Sequence, residues 1–199
     1  HAPGLTSLRA GFRGTLTAAN LAAYAPVDPT AAGPSRVFQG LMRHAPTWND
    51  VAWLKSQTAL PLWIKGILHP DDARAAVEAG AEGIVASNHG GRELDCAPAS
   101  LTALPAIRAA VGPDFPLLFD GGVRSGEDVF RAIALGADGV MIGRLQAYAL
   151  SVAGALGVGH MIKLLREELE ICMALAGCAT LADVARAQVT TARRMEGEA

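Results

Sequence analysis

The chain has 199 residues, 51% of them hydrophobic, with 22 glycines and few aromatics, which suits one α/β domain with a substantial core. A formal net charge of -2 leaves no basic excess, so nucleic acid is excluded as an expected partner. Cys96, Cys172 and Cys178 have neither metal-ligand spacing nor even pairing and read as reduced thiols of a cytoplasmic protein. No apolar run reaches the roughly 18–20 residues needed to cross a bilayer, and no signal peptide is visible, so no transmembrane segment is expected.

In chain order, residues 1–45 are rich in proline and small residues and read as a lid-like loop, mobile near its middle. Leu16–Leu21 is expected to form a short helical turn within it. From residue 46 the pattern sharpens. Thr47 is an N-cap with Asp50 three residues on, which predicts a helix to Lys55. Pro61–Ile67 is a strand, and Pro70–Ala79 a helix with proline in its first turn, ended by Gly80. Glu82–Asn88 is a strand. A helix over about 98–111 stops at Gly112. Phe115–Gly121 is a strand, Ser125–Leu135 a helix ended by Gly136, and Gly139–Gly143 a strand. A long helical region runs over about 146–176, and Thr180–Ala187 forms a last short helix.

An internal repeat supports this order. Leu-Pro-Leu-Trp-Ile-Lys-Gly (60–66) matches Phe-Pro-Leu-Leu-Phe-Asp-Gly (115–121), and Ala79-Gly-Ala-Glu-Gly-Ile-Val85 matches Leu135-Gly-Ala-Asp-Gly-Val-Met141. Short apolar strands without alternation, joined by helices, mean parallel strands buried on both faces. A doubly wound sheet and a (β/α)8 TIM barrel both satisfy that pattern, and the tandem repeat favours the barrel. Four βα units are visible where a barrel has eight. The expectation is therefore the C-terminal half of such a barrel over residues 46–199, preceded by the loop; the start at His1 without methionine agrees with a portion of a longer chain.

Active groups of a barrel cluster at the C-terminal ends of its strands. Those ends are Lys65-Gly66, Ser87-Asn88-His89, Asp120-Gly121-Gly122 and Gly143-Arg144. Histidine exchanges protons near neutral pH, and Arg92, three residues beyond His89, has the planar fork that grips a carboxylate. Asp120-Gly121-Gly122-Val123-Arg124 and Gly143-Arg144 combine glycine amides, two guanidinium groups and adjoining helix N-termini, the parts of a phosphate cradle. Each residue alone has an ordinary explanation: Lys65 a surface lysine, Asp120 a turn cap, Arg124 and Arg144 solvated, His89 a packed or surface histidine. Their joint occurrence at successive strand ends argues for a site that takes a phosphorylated ligand or cofactor. His1, His44, His69 and His160 read as surface or packing residues. Arg108, Arg131, Arg166 and Lys163 read as solvated helix charges, and the apolar positions of Met161–Leu175 as core or subunit-interface packing.

Ser87-Asn88-His89-Gly90-Gly91-Arg92-Glu93-Leu94-Asp95, with Ile64-Lys65-Gly66, Phe119–Arg124 and Ile142-Gly143-Arg144, resembles the FMN-dependent α-hydroxy-acid oxidase and dehydrogenase family, over about Trp48 to Val184. The resemblance implies FMN as cofactor and oxidation of a mandelate-, lactate- or glycolate-like (S)-2-hydroxy acid to the 2-oxo acid. Flavin N5 would accept the electrons, and O2 or another acceptor would regenerate the flavin. It implies His89 as the base, Arg92 on the substrate carboxylate and Lys65 at the flavin N1/O2 edge. Ser87 would also lie on the flavin, with residues 120–124, Gly143 and Arg144 on the ribityl chain and phosphate. A homotetramer is implied as well, and the lid and tail look most like bacterial mandelate or 4-hydroxymandelate oxidases. Glu93 stands where the family more often has Gln. The resemblance also implies that four preceding strands supply the rest of the site. The alternatives are a related FMN or nucleotide-phosphate barrel of isomerase or nucleotide-dehydrogenase type, and a half-barrel without catalysis.

Overall fold

The computed structural model describes residues 45–187 and 189. The expected lid (apart from Ala45), the helical turn at Leu16–Leu21, His1 and His44 lie outside them. The described chain opens with α1 (Trp48–Ser56), started by Thr47 and Asp50 as a reciprocal capping box. Strand and helix then alternate as β1 (Trp63–Ile67), α2 (Pro70–Glu78), β2 (Gly83–Ala86), α3 (Ser100–Val111), β3 (Leu117–Phe119), α4 (Gly126–Ala134) and β4 (Gly139–Val140). The long α5 (Arg144–Leu175) and the short α6 (Leu181–Val184) follow. Every strand is shorter than the sequence predicts: β1 loses Pro61 and Leu62 at its start, while β2, β3 and β4 end early because the polar and glycine residues at their C-terminal ends leave the ladder and turn into the loop above.

The four strands are parallel and lie in the order β1-β2-β3-β4. A doubly wound sheet reverses its strand order at a switch point, and this sheet does not. Right-handed crossovers between sequential parallel neighbours put successive helices on one face, as in a (β/α)8 barrel, of which these are four consecutive units. The core lies between sheet and helices: Ile84 and Ala86 of β2 and Leu117 and Phe119 of β3 pack with Ala73, Ala76, Leu104, Ile107 and Ala132 from α2, α3 and α4. On the opposite face stand Lys65, Val85 and Leu118, paired across the ladder.

The repeat visible in sequence is also a repeat of interactions. After α2, Gly80 (φ 92) ends the helix and Ala81 N–H returns to Ala76 O; after α4, Gly136 (φ 107) does the same with Ala137 and Ala132. Glu82 then accepts from Leu62 N–H and from Lys55, and Asp138 accepts from Leu117 N–H and from Arg108. Arg108 is therefore not the solvated charge that its helix position suggests. Its side chain is 15% exposed, pairs with Asp138 at 2.7 Å and donates to the carbonyls of Gly136, Gly112, Pro113 and Phe115. Helical spacing put Arg108 on an outer face, but Gly136 lacks the Cβ that would block it, and the side chain lies across that gap.

Arg131, Lys163 and Arg166 do sit in exposed ion pairs with Glu127, Glu167 and Glu170. None of the α5 residues is buried, and Ala153 and Gly154 break its helical backbone. The apolar positions after Met161 are thus not core of this half-barrel. By length and composition alone α5 is long and apolar enough to cross a membrane, but its helix is interrupted at Ala153 and Gly154 and its sequence holds no unbroken apolar run of that length.

Candidate active site

Residue 66 decides how the first strand meets the site. The β1–β2 register slips between Lys65, opposite Val85, and Ile67, opposite Ala86. Gly66 is the extra residue, a bulge at φ 105. In a regular strand Lys65 and Ile67 would share a face; the bulge lets Ile67 enter the core while Lys65 faces the cleft. Lys65 Nζ lies 3.0 Å from Asp120 at the end of β3 and donates to Ser87 Oγ, at the end of β2, over 2.8 Å. Three successive strand ends thus meet at one ammonium group. Ser87 is fully buried, beneath the cleft wall and not part of it. Its Oγ also accepts from His89 N–H at 3.1 Å.

His89 has φ 55, the one positive φ outside glycine among the described residues. Its ring lies over Gly66, where a Cβ would come within 2.7 Å of Cε1. Arg144, the first residue of α5, reaches back to Gly90 O at 2.8 Å and so ties the last strand end to the histidine loop. Arg124 donates to its own neighbour's carbonyl, Val123 O. Arg92 is 77% exposed and pairs with Glu93 at 3.2 Å.

A cleft of about 650 Å³ runs along this rim, lined by Lys65, His89, Gly90, Arg92, residues 120–124, residues 141–144, Gln146 and Ala147. The structure thus places every sequence-predicted site residue except Ser87 on one wall. The reading from sequence missed Met141, Gln146 and Ala147, which line the same cleft. Gln146, in the first turn of α5, had the signal of a polar residue two positions after a strand-end arginine. A second cavity of about 530 Å³ lies along α5. It is lined mainly by Leu, Ala, Val and Met, with Arg124, His160 and Glu168 among them.

The sequence profile of the FMN-dependent dehydrogenase family matches residues 6–191. The chain belongs to that family. An L-lactate oxidase of Alicycliphilus denitrificans is 61% identical over 189 residues, which covers 92% of this chain and 52% of that protein. Glycolate oxidase 1 of Oryza sativa subsp. indica is 50% identical over 145 residues, covering 73% and 39%. A crystal structure of mandelate oxidase superposes with a TM-score of 0.68 at 48% identity, over 71% of this chain and 41% of that one. The chain spans about half, or less, of the length of these relatives, in keeping with four of eight barrel units. Within the family frame, the cleft at the strand ends is the place to test for FMN.

Proposed function

We propose that the protein oxidises a small (S)-2-hydroxy acid to the 2-oxo acid with FMN as cofactor and O2 as electron acceptor. The observation that carries this reading is the shared cleft: a histidine, a carboxylate-gripping arginine and a glycine-arginine cradle on one rim. The relatives named above are oxidases of lactate, glycolate and mandelate, which supports the substrate class and O2.

The residues present suit FMN. Asp120 Oδ1 is buried and finds no hydrogen-bond partner among the described residues, an acceptor suited to a ribityl hydroxyl. A Cβ at Gly122 or Gly143 would meet nothing within 4 Å, so the wall there is open backbone that a phosphate can approach. Arg124 and Arg144 line the same stretch and supply the charge-assisted donors a phosphate needs. In this reading Lys65, Asp120, Gly121, Gly122, Val123, Arg124, Gly143 and Arg144 form the cofactor side, and buried Ser87, expected from sequence on the flavin, instead holds Lys65 from behind. When bound, FMN supplies the two-electron acceptor.

The chain's own residues do the rest. Arg92 holds the substrate carboxylate and so fixes the orientation of Cα. Its pairing with Glu93 is exposed and weak enough for a substrate carboxylate to displace. His89 takes a proton from the substrate, at Cα or at the hydroxyl. Lys65, already shared by Asp120 and Ser87, places a positive charge where negative charge accumulates. A cytoplasmic homotetramer completes the proposal. Mixing the FMN-loaded protein anaerobically with glycolate, lactate and mandelate tests it: the flavin should bleach with at least one acid, and not when His89 is replaced by Ala. Bleaching of His89→Ala at the wild-type rate would remove His89 from the chemistry.

A further inference from the structure

We propose that Asn88 and Ser100 are positioning residues that fix the backbone of His89 and thereby aim its imidazole into the cleft; this rests on the hydroxy-acid reading above. His89 sits in the left-handed region at φ 55. Non-glycine residues persist there only where their surroundings over-determine the conformation, and here the surroundings do so amide by amide. Asn88 N–H donates to Ser100 Oγ at 2.8 Å. His89 N–H donates to Ser87 Oγ. Gly90 N–H and Gly91 N–H both donate to Asn88 Oδ1 at 3.1 Å. Four consecutive amides around the histidine are therefore each held by a side-chain oxygen.

Asn88 and Ser100 carry three of those four bonds, and neither lines the cleft. Asn88 Nδ2 donates to Pro98 O at 3.4 Å, which keeps Oδ1 turned toward the two glycine amides. Ser100 opens α3 and is 1% exposed. The end of β3 is shaped to fit both side chains: a Cβ on Gly121 would lie 2.8 Å from Asn88 Oδ1 and 2.8 Å from Ser100 Oγ. The imidazole itself makes no hydrogen bond among the described residues. Within this half of the barrel its direction follows from its backbone and from Gly66 beneath it, so whatever sets the backbone sets the base.

The test compares Asn88→Ala and Ser100→Ala, which remove the acceptors, with Asn88→Asp, which keeps the Oδ1 acceptor of both glycine amides but loses the Nδ2 donor to Pro98 O. In the FMN-loaded protein the two alanine variants should lower the limiting rate of flavin bleaching by about 10- to 100-fold, with flavin absorbance and half-saturating substrate concentration nearly unchanged. Asn88→Asp should bleach faster than Asn88→Ala and more slowly than wild type, since it keeps the Oδ1 acceptor but loses the bond to Pro98 O. A second readout needs no turnover: the Cε1–H resonance of His89 in ¹³C-labelled protein, identified by its loss in His89→Ala. It should move or broaden in both alanine variants. Were Asn88→Ala too unstable to purify, Ser100→Ala would carry the same comparison. Alanine variants with a wild-type bleaching rate and an unmoved His89 resonance would overturn the proposal. If wild type itself bleaches with no hydroxy acid, the functional reading fails, while the resonance still decides whether Asn88 and Ser100 position the ring.

Discussion

Gly66→Ala separates backbone strain from a steric clash at the base. Residue 66 has φ 105, a conformation that costs a side-chain-bearing residue about 1–3 kcal/mol. The added Cβ would also lie 2.7 Å from His89 Cε1, where carbon atoms settle at roughly 3.5–4.0 Å. The ring or the strand must then retreat by about 1 Å, and a misplacement of that size costs on the order of 100-fold in rate, or about 2.7 kcal/mol of barrier. Gly112→Ala is the matched control, since Gly112 has φ 85 and open space around its Cβ position. Both variants should lower the melting temperature by a few degrees, but only Gly66→Ala should slow flavin bleaching. Bleaching by Gly66→Ala at the Gly112→Ala rate would mean that the ring does not work from its position over Gly66.

Two further outcomes follow from interactions beneath the rim. Arg108→Met should destabilise the protein by about 2–3 kcal/mol, because it strips a charged donor from four carbonyls and Asp138. Its counterpart Lys55→Met should cost less, since Lys55 is the more exposed cation and among the described residues bonds only Glu82, with no backbone carbonyls; urea midpoints that rank the two the other way would contradict the clamp assigned to Arg108. Acid should also weaken the fold. Glu82 is held below its ordinary value by hydrogen bonds from Lys55 and then Leu62 N–H, and Asp50 and Asp183 by Thr47 and Thr180, side chain first and backbone next. Because these folded-state values are depressed, the stabilisation is complete above about pH 4.5 and is lost as the pH falls through the lowered values. Melting curves between pH 6 and 3 should show that decline, and Asp50→Asn with Asp183→Asn should flatten it.

Much of the site could be read from the sequence, because each strand end is marked by residues that a ladder rejects. Lys65-Gly66, Asp120-Gly121-Gly122 and Gly143-Arg144 interrupt apolar runs, and the repeat aligns the first two. Arg108 shows where that reading stops. Its spacing is that of any exposed helix charge, and only a glycine 28 residues away explains its burial. Ser100 is similar: as a serine at a helix start it looks like a cap, yet its hydroxyl serves an amide of the preceding strand-end loop.

The order of elements, the parallel sheet and the group of residues at its rim were determined by sequence alone, since they depend on local periodicity and on glycine and proline positions. Three things were decided only by tertiary structure: the bulge at Gly66, the left-handed backbone of His89, and the sharing of Lys65 among three strand ends. Each depends on which atoms from distant segments are brought within hydrogen-bond or van der Waals reach. The histidine was legible as a histidine at a strand end, but what aims its ring into the cleft emerged only when Ser87, Asn88 and Ser100 closed around it.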